Sequence, residues 1–222
     1  MGYVWDFTAI YNSMGLLLEG AGLTLLLAAI AAVVGIVLSV GGAATALWGS
    51  LWAQRLVLAY VELIRNTPFI VQLFFIFFGL PSLGVKIPAL AAASLAMVIN
   101  LTAYGTEILR AGIQSVPPGQ REAGLALGIR PVVAFLLIIL PQAVATVYPA
   151  LVSQIIITML ESAVVSQIAV TDLTHAADFI QSRSYRAFET YGVVALIYLG
   201  MALALRWLLG LVGQRYFMAR RA

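Results

Sequence analysis

An all-α integral membrane protein with five transmembrane helices is the fold class that the sequence predicts. Of its 222 residues, 63% are hydrophobic and only 9% charged, where soluble domains carry about 25% charged residues. Several apolar runs reach the roughly 20 residues that a helix needs to cross a bilayer. They are too long for strands and do not alternate. Almost nothing is left over for a soluble domain, so residues 1–222 read as a single transmembrane domain.

The opening residues, MGYVWDFTAIYNS, lack the positive n-region of a cleavable signal and are expected to stay in the mature chain. A first segment is predicted from about Met14 to Leu47, long enough to tilt or to project beyond the lipid. A second runs from about Leu56 to Leu80 and ends in GLPSLGVKIP, whose Gly and Pro residues mark a turn. A third covers about Pro88 to Ile113. A polar interruption, Gln114 to Arg130, follows. The fourth segment starts near Pro131 and continues to about Val165, interrupted at Pro141 and Pro149. After the polar stretch TDLTHAADFIQSRSYRAFETY comes the fifth, about Gly192 to Val212.

An odd number of spans puts the termini on opposite sides. One side collects Arg55, Arg110, Arg121, Arg130, Arg215, Arg220 and Arg221; the other has Lys86, Arg183 and Arg186. The richer side is expected to be cytoplasmic, which places the N-terminus outside and both the C-terminus and the polar interruption inside. The net charge of +3 is small and its basic residues are scattered, so they bear on topology and do not indicate nucleic-acid binding. With no cysteine, disulfides and thiolate metal sites are excluded.

Within the interruption, Pro117 and Pro118 can begin a helix, because a first-turn proline lacks an N–H that has no partner anyway. Glu122 is expected near the N-terminus, where the helix dipole favours a carboxylate. Ala123, Ala126 and Leu127 form one narrow face. Gly128 can take the left-handed conformation that stops a helix, and Pro131 prevents its return. An exposed apolar face of this kind implies either a protein partner or the lipid headgroup surface.

Across this region run Glu122, Ala123, Gly124, Gly128, Ile138, Leu140 and Pro141. They fall at the spacings of a motif carried by binding-protein-dependent ABC importer permeases: Glu-Ala-Ala, three residues, Gly, nine residues, Ile, one residue, Leu-Pro. Gly124 replaces the second Ala. YVELIRNTPFIVQLFFIFFGLP, TEILRAGIQSVPPGQREAGLALG, LPQAVATVYPALVSQII and FETYGVVALIYL also resemble the polar amino-acid branch of that family. The resemblance spans nearly the whole chain and implies a type I importer fold in a bacterial inner membrane. The helix at about 117–130 would then be a coupling helix docked on a cytoplasmic ABC ATPase dimer, with Gly119, Glu122, Ala123, Ala126, Leu127 and Gly128 as its contact positions. Pro118 stands where the branch usually has Lys, which is expected to alter docking contacts. A second permease, identical or paralogous, and an external solute-binding protein are further implied. The chain lacks a G-x-x-x-x-G-K-[ST] loop. No cofactor is therefore expected in it, and hydrolysis, with its ATP and Mg, is assigned to the partner; the chain itself is not read as an enzyme.

Charged groups within membrane segments mark functional candidates. Glu62 with Arg65, and Glu107 with Arg110, stand at i, i+3 and can neutralise each other as structural pairs. Arg206 is expected to snorkel to the inner interface. Glu161 has no basic neighbour within a turn. A straight helix from Val132 would lift it about 44 Å, beyond the roughly 30 Å hydrocarbon core. Either it is solvated at the outer face, or the prolines bring it inward. The resemblance implies that a polar triplet here lines the translocation path; Leu160 occupies the place of a usual Lys, and Glu161 with Ser162 continues it. An acid without its basic neighbour favours a cationic substrate group. Asn100 and Tyr104 share a face of the third segment, and Thr67 and Gln72 add hydrogen-bonding groups in the second. Such side chains can simply join helices; together they are the candidates for contacting an amino acid's backbone groups. His175 is expected to be a solvated loop residue, and FIVQLFFIFFGL to be packing.

An ion-coupled secondary transporter of small polar solutes, with Glu62, Glu107 or Glu161 carrying protons, is the competing class. Such folds often have two related halves, and the coupling-helix pattern is not repeated. A membrane-embedded enzyme would have few catalytic groups to draw on, with one loop histidine and no cysteine.

Overall fold

The structure, a computed structural model, describes residues 3–218; Arg220 and Arg221, counted above for orientation, lie outside them. Its helices in chain order are α1 (Thr8–Asn12), α2 (Met14–Trp48), α3 (Leu51–Arg65), α4 (Phe69–Ser82), α5 (Ala89–Gln114), α6 (Pro118–Ala126), α7 (Pro131–Ala134), α8 (Leu140–Glu161), α9 (Leu173–Ser184) and α10 (Ala187–Gly213). A π-helical turn, Phe135–Ile139, joins α7 to α8, and a 3₁₀ segment, Ser162–Ile168, continues α8. Among the described residues, four spans are long and apolar enough to cross a membrane: Met14–Trp48, Ala89–Gln114, Pro131–Ile168 and Ala187–Tyr216.

The second predicted segment departs from one straight helix. It divides into α3 and α4, bent by 108° at the break, and supplies a fifth span only if the two halves are taken together. Pro68 is the cause. It disfavours helical backbone at Thr67, and Asn66 ends α3 with its own side chain, donating Nδ2–H to the Glu62 carbonyl at 2.8 Å. The polar stretch after the fourth segment also holds more structure than expected: α9 occupies most of it, and α10 begins at Ala187, five residues before the predicted start. His175 is therefore a half-buried residue in the first turn of α9, where the sequence suggested a solvated loop.

The chain groups into two compact units. One comprises, of the described residues, 3–32, 67–98 and 156–205. Its core gathers Leu17, Ala21, Leu173, Ala177, Ile180 and Val194. Here α2 passes close to the start of α9: a Cβ on Gly20 would lie 2.8 Å from the Asp172 carbonyl oxygen, so glycine permits the approach. The Leu173 N–H donates to Thr24 Oγ1 at 3.3 Å across the same contact. Asp172 caps α9 by accepting the His175 N–H at 2.9 Å. The N-terminal stretch is clasped to α10: Tyr3 Oη donates to the buried Glu189 carboxylate at 2.5 Å, the Asp6 N–H donates to it at 3.2 Å, and Arg186 donates to the Val4 carbonyl at 2.9 Å.

The other unit comprises, of the described residues, 33–66, 99–155 and 206–218. Ala43, Leu109, Ile113, Ile139, Ala143 and Leu151 form its core. Small residues let α2 and α5 cross closely, as expected where helices associate in lipid. A Cβ on Gly42 would overlap Thr106, and one on Gly105 would overlap Ser39. Ser39 Oγ donates to the Gly35 carbonyl at 2.7 Å and lies 3.0 Å from the Thr102 carbonyl on the facing helix. Pro141 brings no N–H to the carbonyl four residues back and crowds it. The wider π turn just before it accommodates the ring, and Gln142 Nε2 donates to the Ile138 carbonyl at 2.7 Å.

Candidate functional site

Six coupling positions, Gly119, Glu122, Ala123, Ala126, Leu127 and Gly128, come together on and just after α6, and all are exposed. Pro117 is the extended N-cap and Pro118 opens the helix, as their fixed backbone angles favour. One detail differs from expectation. Because α6 starts at Pro118, Glu122 falls in its second turn, where the dipole's effect has faded. The C-terminus follows the predicted chemistry. Gly128 takes φ +74°, its N–H donates to the Leu125 carbonyl at 3.0 Å, and the Ile129 N–H donates to the Gly124 carbonyl at 3.1 Å. These two bonds close a left-handed cap that satisfies otherwise orphaned carbonyls.

Gly124 is the buried residue of α6. A Cβ there would stand 3.2 Å from Ile138 Cδ1 and 3.5 Å from Ala134 Cβ. The position of the motif's second Ala, here Gly124, thus meets its Ile: α6 is seated on α7 and the π turn through Gly124, while Leu127, 80% exposed, points away from that seat. A face held rigidly from behind and left open in front suits docking of a partner.

The substrate candidates divide between the two units. In the first, Gln72 is buried at the start of α4, its Nε2 donating to Thr67 Oγ1 at 2.9 Å and to the Thr67 carbonyl at 3.0 Å. These two form a local bracket over the break after α3. α4 packs on the 3₁₀ segment that begins with Ser162. Ser162 is fully buried and its Oγ donates to the Met159 carbonyl at 2.7 Å. Glu161 closes α8, half-buried, and its Oε2 is shielded from solvent with no hydrogen-bond donor among the described residues. Leu160 is exposed beside it. Thr158, three residues earlier and so on the same helix face, is buried with its Oγ1 likewise unmatched. Sequence reasoning missed Thr158; its spacing from Glu161 was the available signal.

In the second unit, Asn100 is buried on α5 and Tyr104 is half-buried one turn on. The Arg65 guanidinium lies 5.5 Å from the Tyr104 ring centroid. The two charged pairs predicted from spacing behave differently. Arg110 grips Glu107 with two bonds, at 2.6 and 2.9 Å. Glu62 and Arg65 are both exposed and form no ion pair among the described residues; Arg65 engages Tyr104 instead.

Comparison with known proteins fits this arrangement. The chain is 34% identical over 213 residues to the glutamine transport system permease protein GlnP of Escherichia coli K12, covering 95% of this chain and 97% of that one. It is 32% identical over 206 residues to the arginine transport system permease protein ArtQ of Bacillus subtilis, covering 91% and 93%. Among solved structures, a crystal structure of an amino acid ABC transporter with histidines matches at a TM-score of 0.85 and 39% identity, covering 96% of this chain and 100% of that one. An inward-facing MetNI methionine ABC transporter shares the fold at a TM-score of 0.71 and 23% identity. Residues 35–218 match the family described as "Binding-protein-dependent transport system inner membrane component", and with a helical membrane fold and a seated, outward-facing α6 behind that match, the chain belongs to this family.

Proposed function

We propose that this chain is the permease subunit of an ATP-driven importer of polar amino acids, contributing half of the translocation pathway. The observation that carries the reading is α6, anchored through Gly124 on the start of its longest apolar span but presenting Ala123, Ala126 and Leu127 outward. A cytoplasmic ABC ATPase dimer docks there; ATP and Mg belong to that partner. A second permease, identical or paralogous, completes the pathway, and a solute-binding protein delivers substrate from outside. ATP binding closes the ATPase pair, draws two coupling helices together and opens the pathway outward; hydrolysis restores the inward-facing state. The N-terminus lies outside and the C-terminus in the cytoplasm, as the distribution of basic residues favours.

Glu161 and Ser162, with Asn100, Tyr104, Thr67 and Gln72, form the substrate-contacting set. Glu161 supports a basic amino acid as the substrate: a shielded carboxylate oxygen with no donor among the described residues is matched by a cationic side chain. The test is ATP-dependent uptake in liposomes of labelled arginine, histidine, glutamine and glutamate, using the permease assembled with its ATPase and binding protein. Glu161→Gln is expected to lower arginine uptake about tenfold or more while sparing glutamine, the size expected when a buried charge loses its partner. Equal transport by wild type and variant would sink the substrate assignment. Uptake that follows a proton gradient whatever the ATP supply would sink the importer reading itself.

A further inference from the structure

A cavity of about 420 Å³ opens beside α6, lined by Thr45 and Trp48 of α2, by Val132, Phe135 and Ile139 of the fourth span, and by Arg121 of α6. An adjoining recess of about 190 Å³ shares Trp48, Arg121 and Ile139. Two aromatic rings form its wall: Trp48 and Phe135 meet edge-on with centroids 5.3 Å apart. The Arg121 guanidinium stands 5.6 Å from the Trp48 ring centroid, a cation–π contact that steers the side chain without using its N–H donors. Among the described residues those donors reach no carboxylate and no carbonyl; the ion pairs formed are Arg110–Glu107 and Arg186–Glu189.

We propose that this cavity binds an acidic phospholipid of the cytoplasmic leaflet. The inference rests on the cytoplasmic placement of α6 given above. Both walls belong to apolar spans, so an acyl chain is the natural filler. A guanidinium with free donors closes the polar end, and its fork geometry fits a phosphodiester with two parallel bonds. Trp48 completes the match, since indoles settle at headgroup depth with the ring in the apolar layer. Basic pockets between helices on the cytoplasmic side are where anionic headgroups are held. A soluble metabolite would need polar orienting groups spread over the walls, and the apolar lining does not supply them. Because Arg121 immediately precedes Glu122, a lipid held there would brace the back of the coupling helix.

Native mass spectrometry of the permease–ATPase complex, exchanged into equal phosphatidylglycerol and phosphatidylcholine, tests the proposal. Wild type is expected to retain phosphatidylglycerol in preference to phosphatidylcholine. Arg121→Gln should lower that preference about fivefold, the effect of one basic residue at a membrane surface, and Arg121→Lys should keep most of it. Arg215→Gln, a basic residue outside the cavity, should leave it unchanged. No preference in wild type, or equal preference in Arg121→Gln, would each overturn the assignment. Because binding is read without transport, a complex that keeps the lipid yet fails to couple ATP to uptake would count against the importer reading alone.

Discussion

Thr158 and Glu161 stand on one face of α8, each with a buried oxygen that no donor among the described residues reaches. Orphaned buried acceptors are costly and uncommon, so their pairing beside Ser162 is what distinguishes this position from ordinary helix packing. Thr158→Val keeps the shape but removes the unmatched hydroxyl. It is expected to leave the thermal midpoint of the complex unchanged or to stabilise it by up to about 1 kcal/mol, while raising the KM for uptake severalfold if the hydroxyl meets substrate. An unaltered KM would make Thr158 a packing residue. Asp172 offers a test outside the spans. Burial lifts its carboxyl to about 6 from 3.8, against the pull of hydrogen bonds from the His175 and Thr174 backbone and from Tyr198. Because the folded value is raised, the folded state gains most when the group is protonated. That contribution is complete below about pH 4 and is lost as pH rises through about 6. The lift from 3.8 to about 6 corresponds to about 3 kcal/mol. Asp172→Asn keeps an oxygen to cap α9 and should flatten the fall in thermal stability between pH 4 and 7, measured on the complex in detergent. An unchanged slope would mean that other groups set it.

At the level of elements, α6 shows how a departure from a family pattern can be read physically. Alanine at Gly124 would bring a methyl to 3.2 Å from Ile138 Cδ1, the far end of a flexible side chain. That tip can rotate aside, and alanine gains about 0.4–1 kcal/mol over glycine in a helix. Gly124→Ala is therefore expected to stay within about 1 kcal/mol of wild type in thermal unfolding and to keep uptake coupled to ATP. Gly124→Val crowds both Ile138 and Ala134. It should cost about 1–3 kcal/mol and lower uptake per ATP hydrolysed by tilting α6 on its seat. Should both variants behave alike, the seat is looser than its distances indicate. The second predicted segment carries the opposite lesson. Its NTP tripeptide, Asn66 to Pro68, is a helix-ending signal by the rule for residues before proline, yet the apolar run on either side reads as one span, because hydropathy does not register a bend.

For the whole molecule, topology is the assertion most open to direct measurement. The chain has no cysteine, so single-cysteine variants report without background. Gly119 of α6 is exposed, and a Cβ there meets nothing within 4 Å; Ser182 of α9 is exposed. In intact cells that express the permease without its ATPase, a membrane-impermeant maleimide should label Ser182→Cys and leave Gly119→Cys unlabelled until the membrane is opened. The reverse pattern would invert the orientation.

The sequence by itself determined the membrane class, the span limits to within a few residues for α2 and α5, both ends of α6, and the Glu107–Arg110 pair. Each follows from local rules: run length, cap chemistry and i, i+3 reach act within a few turns and need no knowledge of neighbours. Tertiary structure decided the rest. Arg65 lies over Tyr104, reached across 39 residues, and forms no ion pair with Glu62. Glu189 is buried under Tyr3 and Asp6, more than 180 residues away in the chain. Gly20, Gly42 and Gly105 are required by what crosses them, and Thr158 became a candidate only once burial showed that its hydroxyl has no match. A spacing rule states which side chains share a face; which face is covered, and by what, depends on helices brought together from distant parts of the chain.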